Sequence, residues 1–146
     1  MKREDILLAA LACGGSKAFE PVHVQKAMFL IDRRARALFG SRPGSKYDFV
    51  PYDYGPFDSS VYHDLDHLAE ADLVCIDQNP EYGYRRYMVT EAGRTQGQQA
   101  LMRMKPEQRK TVEETAQFVL SLSFRALVSA IYRQFPEMKA NSVFKG

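Results

Sequence analysis

Between Tyr47 and Thr90 the chain reads YDFVPYDYGPFDSSVYHDLDHLAEADLVCIDQNPEYGYRRYMVT, and this stretch sets most of what the fold can be. Pro56 breaks whatever precedes it. Asp58 and Ser59 both suit an N-cap, because either side-chain oxygen can accept a bond from a backbone N–H of the first turn. Apolar residues then recur at Val61, Leu65, Leu68 and Ala69, the spacing of a helix with one buried face. Leu73–Asp77 and Tyr84–Thr90 follow as strands around Asn79–Pro80–Glu81–Tyr82–Gly83, a hairpin with a Gly-containing tip. Short strand, tight turn, helix and hairpin are the sequential layout of a winged helix, with the hairpin as the wing.

The face of this helix opposite its apolar stripe holds Ser59, Ser60, His63, Asp66, His67 and Glu70, with Asp64 and Asp72 near its margins. A helix that reads DNA lies against phosphate walls, where Lys and Arg dominate. This face carries neither. In the hairpin, Arg85 and Arg86 are the only cations; they suit a phosphate contact, or the charge by which an edge strand resists aggregation.

Before this stretch, Ile6, Leu7, Ala10 and Leu11 mark a helix from Arg3 to Cys13, stopped by Gly14–Gly15. Pro21 opens a longer one, expected to reach Phe39, with Val24, Ala27, Met28, Ile31, Ala35 and Leu38 on its apolar stripe. Gln25, Lys26, Arg33, Arg34 and Arg36 are expected on its remaining faces. Tyr47 and Phe49 alternate as an edge strand ahead of Pro51, and Gly55 supplies a turn with positive φ. The cluster Tyr47, Phe49, Tyr52, Tyr54 suits either packing under a turn or stacking on a base or peptide.

After the hairpin, Thr90 caps a helix from Ala92 to Met104, in which Gly93 and Gly97 sit four apart and point to a close backbone neighbour. Pro106 opens a helix to Leu122 with Val112, Thr115, Ala116 and Val119 on one face. Ser123 caps the last, Phe124–Phe135, striped by Leu127, Val128, Ile131 and Tyr132. The segment 136–146 reads as a polar tail anchored by Val143 and Phe144. The two C-terminal stripes and the paired glycines leave room for a homodimer through the last helices.

From Arg33 to Lys46 the cations Arg33, Arg34, Arg36, Arg42 and Lys46 follow one another with no acid between them. Such a run fits phosphate contacts, a seat for an acidic partner, or a solvated face. Overall charge gives it no help: 20 basic residues against 18 acidic leave a net charge of +2, so no bulk field draws in nucleic acid or membrane.

Chemistry finds little footing. His63 and His67 lie one helical turn apart, and Asp64 or Asp66 could serve as a third ligand, but no distant Cys–His pair completes a zinc site. No nucleophile elbow, phosphate loop or dinucleotide glycine pattern occurs. Cys13 and Cys75 lack C-x-x-C spacing and are expected to be packed. The apolar run Ile6–Cys13 is too short for a signal peptide or a span, so a reducing cytoplasm is expected. No catalytic residue, metal or cofactor is expected. The 146 residues suit one domain, with a core over 1–104, C-terminal helices over 105–135 and the tail.

Four segments together, VQKAMFLIDRRARALFG, YDYGPFDSSVYHDLDHLAEADLV, YMVTEAG and IYRQFPEMKANS, resemble the YwgA-like proteins and the related Panacea (SocA-antitoxin-like) domains. The resemblance covers nearly the whole chain through short, degenerate motifs, and only Gly55–Pro56 matches as a fold-level motif. It implies a small, α-rich domain, with a winged-helix core for the YwgA-like proteins and, for Panacea members, an antitoxin or adaptor that binds a protein partner; the expected fold class is α+β, mostly helical. No catalytic residues come with it. The strand end Val89–Thr90–Glu91–Ala92–Gly93 also resembles winged-helix regulators that bind DNA. Two expectations follow: a regulatory module that binds a protein through Ser59–Glu70 or through Arg33–Lys46, and, as the alternative, a DNA-binding regulator using Arg33, Arg34, Arg36, Arg85 and Arg86 on phosphates.

Overall fold

The helix α2, Pro21–Arg34, is enclosed on every side: each residue from Val22 to Asp32 is buried in the computed structural model, which describes residues 1–145 apart from the side chain of Tyr82. Gly146, the end of the expected tail, lies outside the described residues. Around α2 pack α1 (Arg3–Ala12), α5 (Pro106–Leu120) and α6 (Phe124–Gln134), while α4 (Glu91–Arg103) lies along α1. One hydrophobic cluster draws on all of these helices and on α3 (Ser60–Glu70), with Ile6, Phe29, Val61, Leu101, Val112 and Leu127 among its members. The chain is α+β and mostly helical, and no helix among the described residues is long and apolar enough to cross a membrane.

The wing is built as the spacing predicts. Strands β3 (Val74–Asp77) and β4 (Arg86–Val89) pair antiparallel with Val74 opposite Val89, each slightly shorter than expected. On the other edge of β4, Phe19 and Tyr87 exchange both backbone bonds at 2.8 Å, so Phe19 adds a one-residue third strand. The order α1, Phe19, α2, α3, β3, β4 is that of a winged helix, with a second hairpin inserted between α2 and α3.

That insertion corrects the expected strand at Tyr47–Phe49. The strands are β1 (Val50–Tyr52) and β2 (Gly55–Phe57), with Pro51 opposite Pro56. Gly55 takes φ +100°, the conformation expected of it. Tyr47 goes instead into the core, where its phenol finds a buried partner.

Helix α2 also ends earlier than expected. Ala35 leaves helical geometry at φ −134°, ψ 48°, and Arg36–Leu38 continue only as a tight 3-10 turn. Gln25 and Lys26, placed by pattern on an outer face, are 1% and 3% exposed. Both hold the inserted hairpin: Gln25 pairs with the N–H and the carbonyl of Asp58, each at 3.0 Å, and Lys26 donates to the carbonyl of Pro56 at 3.3 Å.

The paired glycines of α4 face inward. A Cβ on Gly93 would sit 1.8 Å from the carbonyl oxygen of Leu73, and one on Gly97 would sit 2.6 Å from Cβ of Ala12. Close approach is thus what they serve, but within the chain, and they are not available to a dimer. The stripes of α5 and α6 are likewise buried in this core. The tail splits as well: Phe144 packs on Phe124 and Tyr132, whereas Val143 is 56% exposed. Its backbone N–H donates to Asp53, and Asn141 donates to Pro51, so the tail lies against β1.

Candidate interaction surface on the third helix

Asp58, rather than Ser59, caps α3. Its Oδ1 accepts from the N–H of Ser60 at 2.8 Å and its Oδ2 from that of Asp48 at 2.6 Å, while the Ser59 side chain caps nothing. At the other end Asp72 takes φ +59°, and the N–H groups of Asp72 and Leu73 donate back to Ala69 and Leu68. This closes the helix as a Schellman motif with an aspartate in the left-handed position, which Asp tolerates better than most residues. Both ends of α3 are therefore held by side-chain or backbone bonds, and its outer face is carried on a fixed frame.

Val61, Leu65 and Leu68 bury the inner face, and Ala69 is half-buried. Asp64, expected near the outer margin, is buried as well. It accepts from Nε of Arg3 at 2.8 Å and from the phenol of Tyr47 at 2.6 Å. Burial works against the charge of Arg3, but the bond and charge of Asp64 outweigh it and raise its pKa. Burial, reinforced by Asp64, also pushes the phenol of Tyr47 up.

Ser59, His63, Asp66, His67 and Glu70 are exposed and Ser60 half-buried, so the structure brings the acidic face together as the sequence predicts. Two of its members reach neighbouring elements. Asp66 meets Arg85 of the wing at 3.5 Å, and Nδ1 of His67 meets Glu4 of α1 at 3.2 Å. The bond and charge of Glu4 raise the pKa of His67. On the wing, Arg86 lies 3.9 Å from Asp77.

An aromatic ledge that the sequence pattern did not isolate continues this face. Tyr52 stacks on Phe57 at 5.0 Å, and Phe57 meets Tyr62 of α3 edge to face at 5.8 Å. Tyr52 is 52% exposed and its strand neighbour Val50 48%. The signal was the alternation of Val50 and Tyr52 across Pro51, which puts these two side chains on one outer face once β1 and β2 pair. The surface thus runs from an apolar ledge through Tyr62 to the carboxylates of Asp66 and Glu70.

The seven cations expected at phosphates are not gathered on one face. Arg33 pairs with Glu137 at 3.7 Å and lies over the rings of Phe29 and Phe135. Arg34 turns to α5, donating to Thr115 at 3.4 Å and lying over Phe118. Arg36 meets Asp32 at 3.2 Å. Arg33, Arg36, Arg42 and Lys46 line one cleft beside the end of α2, whereas Arg85 and Arg86 lie on the wing.

The remaining chemical groups are scattered. His23 is 5% exposed; its Nδ1 accepts from the N–H of Glu20 and its Nε2 faces the carbonyl of Leu122 at 3.2 Å. With Asp64 held by Arg3 and Tyr47, no group of three or more His, Cys, Asp or Glu side chains among the described residues is placed to hold a metal ion. Burial pushes the Cys13 thiol up to about 12. Cys75, expected to be packed, is exposed on the outer face of β3. Compared with known protein families and with curated proteins, the chain matches none.

Proposed function

We propose that this protein is a non-catalytic regulatory module of the cytoplasm that binds a protein partner through the outer face of α3 and the adjoining aromatic ledge. The observation that carries this reading is the charge of the position where a winged helix meets its target: Asp66 and Glu70 face outward, and the nearest wing cation, Arg85, is already paired with Asp66. A polyanion is repelled there, and a cationic segment is attracted. The ledge of Tyr52, Phe57 and Tyr62 adds the aromatic anchor on which protein interfaces depend. The fitting partner presents lysines or arginines beside an apolar side chain. The resemblance to Panacea domains adds the antitoxin-like role, in which the partner is the protein held in check.

The experiment compares the full chain with Asp66→Lys/Glu70→Lys and with Tyr52→Ala, each used to capture its partner from cells at moderate salt. A protein retained by the wild type, lost with the charge reversal and weakened by Tyr52→Ala supports the reading. The winged-helix layout makes DNA the competing ligand, and a gel shift on random duplex at low and physiological salt tests it. Micromolar duplex binding that Arg33→Ala and Arg85→Ala abolish, with a steep salt slope, overturns the proposal.

A further inference from the structure

A cleft of about 450 Å³ opens between the last turn of α2 and the loop 41–49, away from the wing. Arg33, Arg36, Arg42 and Lys46 line it against two carboxylates, Asp32 and Asp48. Arg33 and Arg36 have partners of their own in Glu137 and Asp32. Among the described residues, no hydrogen bond or ion pair reaches the side chains of Arg42 and Lys46, so two adjacent positive charges remain for an anion from outside.

Asp32 makes the opposite demand. It is 5% exposed, its Oδ2 is met by Arg36, and its Oδ1 is buried with no hydrogen-bond partner among the described residues. A buried carboxylate oxygen lacking a donor is costly, and the shortfall is relieved by an N–H brought in by a ligand. Arg36 joins the two demands. One N–H of its guanidinium meets Oδ2 of Asp32, and the side chain is 58% exposed, so its remaining N–H groups can turn to an anion while that contact holds.

We infer that this cleft binds a mononucleotide: the phosphate is held by Arg42, Lys46 and the outer N–H groups of Arg36, and an amine or ring N–H of the base is accepted by Oδ1 of Asp32. The volume lies within the range of small-ligand pockets and is too confined for a duplex. The half-buried ring of Phe49 on the cleft wall offers an apolar edge beside the base. This inference concerns a different face from the α3 surface and stands or falls without it.

Isothermal titration of the full chain with GMP, CMP, ribose 5-phosphate and inorganic phosphate tests it. At least one nucleotide is expected to bind saturably and about fivefold or more tighter than ribose 5-phosphate, reflecting the charge-assisted bond to Asp32. Arg42→Ala/Lys46→Ala, both exposed positions whose loss leaves the core intact, is expected to weaken that binding about tenfold or more. Asp32→Ala, checked for folding by circular dichroism, is expected to erase the preference for nucleotide over ribose 5-phosphate. Absence of saturable binding by any probe, equal affinity for ribose 5-phosphate and nucleotides, or binding untouched by the double substitution each overturns the inference.

Discussion

The phenol of Tyr47 donates to Oδ2 of Asp64 at 2.6 Å, and Nε of Arg3 reaches the same oxygen at 2.8 Å. One buried carboxylate therefore ties the start of α1, the loop ahead of β1 and the middle of α3 together, with the Arg3 guanidinium lying 4.7 Å over the Tyr47 ring. Tyr47→Phe removes one bond and is expected to cost about 1–2 kcal/mol. Asp64→Ala strands two donors and is expected to cost more, about 2–4 kcal/mol. In urea melts the double variant should fall short of the sum by more than about 0.5 kcal/mol, because both changes act on one network. Strict additivity would mean that the two side chains act independently.

Gly93 and Gly97 differ in how deeply an added side chain would clash. At Gly93 a Cβ would lie 1.8 Å from the carbonyl oxygen of Leu73, whereas at Gly97 it would lie 2.6 Å from Cβ of Ala12 and 2.9 Å from the carbonyl oxygen of Leu8. The deeper overlap cannot be met by a small shift, so Gly93→Ala should separate α4 from the β3 junction and abolish cooperative thermal unfolding. Gly97→Ala should fold with a loss of about 1–3 kcal/mol from overpacking between α1 and α4. Gly40→Ala, whose new Cβ meets nothing closer than 3.4 Å, is the control and should stay within about 0.5 kcal/mol of wild type.

His67 and Glu4 join the outer face of α3 to α1. Because the Glu4 bond and charge raise its pKa, the contact is fully formed below the ordinary histidine value of 6.5 and is lost as pH rises through the higher folded value. An NMR titration of the ring protons should place the His67 midpoint above 6.5 and return it toward that value in Glu4→Gln. An unchanged midpoint in Glu4→Gln would assign the shift to other carboxylates of the face, Glu70 and Asp64.

What periodicity could read, it read well: the stripes of α3, α5 and α6, the wing, the caps at Thr90 and Ser123, and the turn at Gly55 all stand where spacing puts them. It failed at α2 because a polar residue in a helical repeat reads as exposed. Gln25 and Lys26 are buried in a helix covered on all sides, and their partners are backbone groups of Asp58 and Pro56, about 30 residues downstream. Asp64 misled for the same reason, since the donors that satisfy it come from Arg3 and Tyr47. The acidic face of α3 was legible because its charge sits opposite a clean apolar stripe. The aromatic ledge was not, because it exists only once β1 and β2 pair and bring Tyr52 onto Phe57.

Lys26 lies beneath the inserted hairpin, and burial lowers its pKa from 10.5 to about 8. Below about pH 8 it is charged in the folded and the unfolded chain alike, and the whole cost of burying the ammonium is borne by the fold. Between about 8 and 10.5 the folded chain has released the proton while the unfolded chain still holds it, so stability rises with pH. A shift of this size is worth roughly 3 kcal/mol, complete only above the unfolded value. Lys26→Met keeps the length of the side chain and removes the charge, at a cost of about 1 kcal/mol for the lost bond to the Pro56 carbonyl. The variant should therefore be the more stable protein by about 2 kcal/mol at neutral pH, as for other buried charges replaced by apolar residues. Denaturant melts of both proteins at steps from neutral pH to about pH 10 read the difference directly, and the advantage of Lys26→Met should shrink as Lys26 of the wild type discharges. A gap that stays constant over that range would mean that Lys26 keeps its proton in the fold, and that the Pro56 carbonyl and the hairpin above it stabilise the ammonium against its burial.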